Sequence, residues 1–170
     1  MRLKRFATLG IVSVVLLLSG CKPLITTYDP YSYTQLSTVK VDVLNVMSKA
    51  TDEYSKHESE VEAVKVEVQK AYEYDTHKPK NEVMTEMWKF LQDRLLSDEL
   101  EGIAGHQFKK GFFNKWKAEN KQSQVFVDQA STQIIGPMFD LIMELESKKL
   151  TKTTAESAFE KIKGHFGGGQ

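Results

Sequence analysis

The sequence predicts an all-α chain: an elongated antiparallel helical bundle with a long coiled-coil-like first helix, preceded by a cleaved signal peptide. Three observations predict it. Apolar residues recur at steps of three and four through most of residues 36–162, which is the spacing of one face of a helix. Only 10 glycines and 4 prolines occur in 170 residues, too little punctuation for the many turns of an all-β fold. Between Pro30 and Pro79 there is neither residue, so nothing in that span breaks a helix by its own chemistry.

The first element is the leader, residues 1–20. Arg2, Lys4 and Arg5 come without an acid, and the run Phe6 to Leu18 that follows is interrupted only by Thr8, Gly10 and Ser13. A basic start followed by a short apolar run is the pattern of a secretory signal. A membrane-spanning helix needs about 20 apolar residues, and this run is shorter. Ser19, Gly20, Cys21, Lys22 and Pro23 end it.

Cys21 is the sole cysteine, so the chain cannot form an internal disulfide and is stabilised by packing alone. Leu18-Ser19-Gly20-Cys21 resembles a lipobox, the leucine, small, small, cysteine motif of bacterial lipoprotein precursors. The resemblance covers residues 1–22. It implies diacylglycerol on the Cys21 thiol, cleavage after Gly20, and a mature chain that begins at Cys21. It also implies a membrane partner, reached through acyl chains. Two or three such chains hold a domain at a bilayer where one gives only marginal binding, at about 0.8 kcal/mol per buried methylene. Lys22 takes the position where an aspartate retains Gram-negative lipoproteins in the inner membrane, which implies the outer membrane, facing the periplasm.

Residues 21–28 read as a lipidated tether, and Lys22 to Tyr28 span about 25 Å at most when extended. The body, residues 29–166, starts at Asp29-Pro30, an acid suited to the N-cap followed by a proline suited to the first helical position. From there Leu36, Val39, Val43, Val46, Ala50, Tyr54, His57, Val61, Val64, Val68 and Ala71 form a heptad seam, with one four-four step from Ala50 to Tyr54. Such a step is a stutter, a local unwinding. One continuous helix over residues 30 to about 74 is expected, about 65 Å long at 1.5 Å per residue.

A second pass places Met84, Trp88, Leu91 and Leu95 on one face, with Met87 and Phe90 beside them. Gly102 and Gly105 interrupt it, and His106 to Asn120 resumes it with Phe108, Phe112 and Trp116 at steps of four. A third pass, Ser123 to Lys148, carries Val127, Ala130, Ile134, Met138, Leu141 and Leu145, and Gly136-Pro137 is expected to kink or split it. Thr153 and Glu156 suggest a capping box for a short last helix with Ala155, Ala158, Phe159 and Ile162. Gly164 ends it, and residues 167–170 form a flexible tail.

Charge bounds the function. Without residues 1–20 the 23 basic groups fall to 20 against 23 acids, a formal charge of −3, so the mature chain lacks the basic footprint of a nucleic-acid binder. The histidines His57, His77, His106 and His165 are not spaced as helical metal ligands, and no phosphate loop or nucleophile elbow occurs. No catalytic residue, cofactor or metal is assigned. His57, on the seam, is expected to set register within the bundle. Glu58, Glu60 and Glu62 read as a solvated face paired with lysines. Phe108, Phe112, Phe113 and Trp116 lie opposite Lys110, Lys117 and Lys121, so this segment is a candidate membrane or partner face, although packing in the core accounts for the same aromatics. The expectation is a non-catalytic, lipid-anchored module that contacts another envelope protein. The alternatives are a carrier or sensor of a small apolar ligand, with Met84, Trp88, Phe112, Trp116, Met138 and Phe139 around a cavity, and an envelope enzyme without a recognisable motif.

Overall fold

The structure, a computed structural model, describes residues 29–78, 81–98, 110–147 and 150–164. The fold is an all-α bundle, with no strand among the described residues. Its helices are α1 (Pro30–Ser48), α2 (Glu58–Thr76), α3 (Glu82–Leu96), α4 (Phe112–Glu119), α5 (Gln124–Gln129), α6 (Gly136–Glu146) and α7 (Lys152–Gly164). α1 packs on α2 and α6, and α3 also packs on α2 and α6, so these four close a ring around a shared core. Neighbours in the ring run antiparallel: Ser32 meets Asp75, Gln69 meets Gln92 and Lys40 meets Asp140. α7 lies on α6 and α3, with Phe159 edge-on to Phe90 at 5.6 Å.

α1 starts as expected. The Asp29 side chain accepts a hydrogen bond from the Tyr31 N–H at 3.0 Å, and Pro30 follows at the first helical position. The expected single helix over residues 30–74 is corrected. The chain leaves the α-helix after Ser48, makes two short 3₁₀ turns, Lys49–Thr51 and Tyr54–Lys56, and returns as α2 alongside α1. The break coincides with the four-four step, whose two residues, Ala50 and Tyr54, are both buried. Asp52 and Glu53 adopt extended backbone, and the Asp52 carboxylate accepts from the Glu53 N–H at 2.7 Å, the local bonding by which Asp competes with a helix. Backbone groups freed by the break pair with the loop after α4: Tyr54 N–H donates to Asn120 O at 2.9 Å, and Gln122 N–H donates to Ala50 O at 2.8 Å. The elongated rod is thereby replaced by a helical hairpin.

The seam keeps its period on both arms of that hairpin. Leu36, Val39, Val43 and Val46 are buried on α1, and Val61, Val64, Val68 and Ala71 on α2. Val64 is 4% exposed and Val66, two residues along, 52%. The third pass is buried on the predicted face from Val127 to Leu145. It is divided there by a π-helical segment, Ala130–Ile135, between α5 and α6. The Gly136 N–H reaches back five residues to Ser131 O, and a Cβ on Gly136 would lie 2.7 Å from that oxygen. The widening sits just before Pro137, which has no N–H and whose ring would crowd the carbonyl four residues back in a regular α-helix.

Two smaller expectations also change. The helix expected from His106 is described only from Phe112. Gly111 before it is extended and so close to α3 that a Cβ there would lie 2.6 Å from the backbone nitrogens of Leu96 and Ser97. The last helix is capped by Thr151, whose hydroxyl accepts from the Thr154 N–H at 3.2 Å, and not by Thr153. The helix begins earlier, which puts Glu156 within 3.8 Å of Lys152.

Candidate functional site

At the end of the bundle where α1 begins, charged side chains are buried. Continued outward, the seam steps from Leu36 back to Ser32 and from Ala71 on to Asp75, which turns a polar residue of each arm into the core. They find each other: Ser32 Oγ donates to Asp75 Oδ1 at 2.8 Å. Trp88 Nε1, from α3, donates to the other oxygen at 2.7 Å. Lys78, just past α2, holds its ammonium 2.7 Å from Asp75 Oδ1 and 3.1 Å from Glu146 Oε1 at the end of α6. Glu146 Oε1 also accepts from the Asp29 N–H at 3.1 Å. Asp29 Oδ2 accepts from the Tyr74 hydroxyl at 2.6 Å and lies 3.8 Å from Lys78 Nζ. Asn81 completes the floor by donating to the Asp75 carbonyl at 2.5 Å.

Among the described residues the cluster thus places three carboxylates around one ammonium. Asp75 is 1% exposed and Glu146 3%. Burial pushes the Glu146 carboxyl above its ordinary value of 4.5, against the pull of the Lys78 ammonium. The Tyr74 hydroxyl bond holds Asp29 below its ordinary 3.8, and the same bond pushes the Tyr74 phenol up to about 12. Burial therefore works against the charge on Glu146, while the Tyr74 bond supports the charge on Asp29.

The opposite end is built differently. Around the 49–57 break the side chains pair in the open: Lys117 with Glu58 at 3.4 Å, Lys121 with Glu53 at 3.5 Å, and Lys56 with Asp52 at 3.1 Å. Trp116 fastens this end through Nε1, which donates to Asp52 O at 3.0 Å and to Asn120 O at 3.2 Å. His57 precedes α2, tilts over the Trp116 ring at 5.8 Å, and lies 3.6 Å from Asp52 and 3.5 Å from Glu60. It occupies its seam position within the bundle.

Phe112 and Trp116 are fully buried, so the membrane or partner face sketched from them is corrected: in this fold their rings belong to the core. Lys117 and Lys121 opposite them are taken up by acids near the break. Phe108 lies outside the described residues, as do Gly20, Cys21, His106, His165 and the tail. Met84, Trp88, Phe112, Trp116, Met138 and Phe139 are each buried, and Trp88 meets Phe139 edge-on at 6.1 Å. A depression of 330 Å³ runs along the outside of the α1–α2 hairpin, lined by Tyr31, Thr34, Gln35, Thr38, Glu67 and Lys70 among others.

Sequence reasoning passed over Ser32, Asp75, Lys78, Asn81 and Glu146. Ser32 and Asp75 were signalled, since each stands where the seam's own period demands an apolar residue. Among the described residues no helix is long and apolar enough to cross a membrane, and no group of three or more His, Cys, Asp and Glu is placed to hold a metal ion. Comparison with family models, with curated proteins and with solved structures finds no match to this chain.

Proposed function

We propose that the chain is a lipid-anchored component of the bacterial envelope, held in the outer membrane by acyl chains on Cys21, whose helical body contacts another envelope protein without catalysing a reaction. The observation that carries this reading is the single cysteine behind Leu18-Ser19-Gly20, at the end of a basic and then apolar leader. The start of α1 is consistent with it. The N-cap Asp29 follows Cys21 by eight positions, which keeps the Asp29 end of the bundle within about 30 Å of the anchor at 3.3–3.6 Å per residue. The break at 49–57 stands a further 28 Å or so away, the length of a 19-residue helix, and is the end that reaches into the compartment.

The test is metabolic labelling with palmitate in a Gram-negative host. The full chain is expected to take up label, and Cys21→Ser to remain an unlabelled precursor. Equal labelling of the two, or none of either, overturns the anchor. Separation of the membranes on a density gradient is expected to recover the labelled chain with the outer membrane, and recovery with the inner membrane overturns that placement. Crosslinking in cells is expected to capture the same envelope protein with wild type and not with a variant whose far-end charges are reversed.

A further inference from the structure

α1 and α3 stand diagonally across the ring, each with one side in the core and one in water, and the two water-facing sides differ in kind. On α3 the exposed residues are Glu82, Glu86, Lys89 and Asp93, every one charged. On α1 they are Pro30, Tyr31, Thr34, Thr38, Val41, Asn45 and Ser48, none of them charged, with Tyr31 63% and Val41 62% exposed. Charge is the usual covering of a free helix face. From Tyr31 to Ser48 the exposed residues of α1 follow at steps of three, four, three, four and three, a second heptad seam on the side away from the buried one. The hydroxyls on it turn to α1's own backbone: Thr34 donates to Pro30 O at 2.9 Å, Thr38 to Thr34 O at 3.1 Å and Ser48 to Asn45 O at 2.7 Å. What the threonines and Val41 offer a partner is methyl groups.

We propose that this face pairs the chain with a second copy of itself, α1 lying parallel to the other copy's α1 in a short two-stranded coiled coil. In such a symmetric pairing each seam residue meets its own counterpart, so any charge in the row would meet a like charge. The α1 row holds none, whereas the α3 row would set Glu82 against Glu82 and Lys89 against Lys89. A partner of different sequence imposes no such exclusion, because it can answer each charge with its opposite. The flanking positions obey the same rule. Across a parallel pair Asp42 faces Ser37 of the other copy and Lys49 faces Leu44, so no like charges meet. Asn45 shares its heptad position with Tyr31 and Thr38, the position at which a single Asn fixes register and oligomeric state at a cost in stability. The parallel sense also rests on the lipid-anchored reading: two chains held in one leaflet at residue 21 start α1 from the same side, and their confinement raises the effective concentration of a seam only six residues long.

The experiment places single cysteines in the full chain and treats isolated host membranes with a mild oxidant. Thr34→Cys and Ser48→Cys stand two heptads apart on the seam, and both are expected to give disulfide-linked dimers of twice the chain's mass, as only a parallel pair in register allows. Glu86→Cys, exposed on α3, is expected to stay monomeric. Adding Val41→Glu to either seam cysteine sets like charges face to face; it is expected to abolish the crosslink and to leave the circular dichroism unchanged, because Val41 is exposed. Crosslinking at neither seam position or at only one, equal crosslinking at Glu86, a product that contains a different protein, or a crosslink that survives Val41→Glu overturns the proposal. Failure of the anchor shows separately. With Cys21 acylated the wild-type chain has no free thiol and gives no dimer, whereas a wild-type dimer reports a bare Cys21. The seam cysteines are then read in the Cys21→Ser chain by the same criteria.

Discussion

The two ends of this bundle are tied by opposite means. At the start of α1 the ties run through enclosed side chains: Asp75 and Glu146 are almost wholly buried, Asp75 accepts on both oxygens, and Glu146 accepts the Asp29 N–H. At the 49–57 break the ties are backbone groups and one indole, with the charges left in water. A backbone tie is neutral and indifferent to pH, and an exposed ion pair contributes about 0–1 kcal/mol at most. A buried charge with its partner removed costs several times more. The far end is therefore expected to tolerate changes of charge but not of backbone space, and the tether end the reverse.

The largest expected effect is at the tether end. Asp75→Ala would strand the Ser32 hydroxyl and the Trp88 N–H and take from the Lys78 ammonium the nearest of its acids, and should lower the unfolding free energy by about 3–5 kcal/mol in urea titration. A loss no larger than that of a surface substitution would erase the contrast. Next comes the far end's own weak point. Gly111→Ala sets a Cβ 2.6 Å from the backbone nitrogens of Leu96 and Ser97 at the end of α3, which cannot rotate away, and a cost of about 1–3 kcal/mol is expected from such overpacking.

A smaller effect sharpens the electrostatic side. Tyr74 is expected to titrate at about 12 in an ultraviolet titration, and in Asp29→Asn to return toward its ordinary 10.0. Because Asp29 is held below its ordinary value, it stabilises the fold above that range, and this contribution is lost as pH falls through the folded value. Asp29→Asn should accordingly show a shallower loss of stability in strong acid than wild type. The smallest effect is expected from Lys117→Ala and Glu58→Ala, which break an exposed pair at the far end. Their melting temperatures should stay at the wild-type value, and any difference should disappear in high salt.

Much of this was legible beforehand. The valine seams and the buried faces around Trp88 and Val127 follow from residues three or four apart, the Asp29 cap follows from an acid before a proline, and the structure buries the first two and starts α1 at the third. Ser32 and Asp75 could have been found by carrying the same period one step further at each end. Glu146 could not. It follows Leu145 and stands one position off the apolar row, where an acid reads as a solvent-facing residue; only the arrival of Lys78 and the start of α1 encloses it. The aromatics of α4 were ambiguous for a related reason, since an amphipathic face does not say whether protein or membrane covers it.

What the sequence determined by itself is therefore the period of burial, because the side-chain directions of a helix repeat locally and need no partner to be defined. What only the tertiary structure decided is that the first seam folds in half. A stutter at Ala50 and Tyr54 is compatible with a continuous helix, and the cost of opening it depends on whether the freed backbone groups find partners. They find them in Asn120 and Gln122, about seventy residues further along the chain, and no local pattern encodes a contact of that range. The fold then lets both valine seams share one core with α3 and α6, and it brings Ser32 to Asp75.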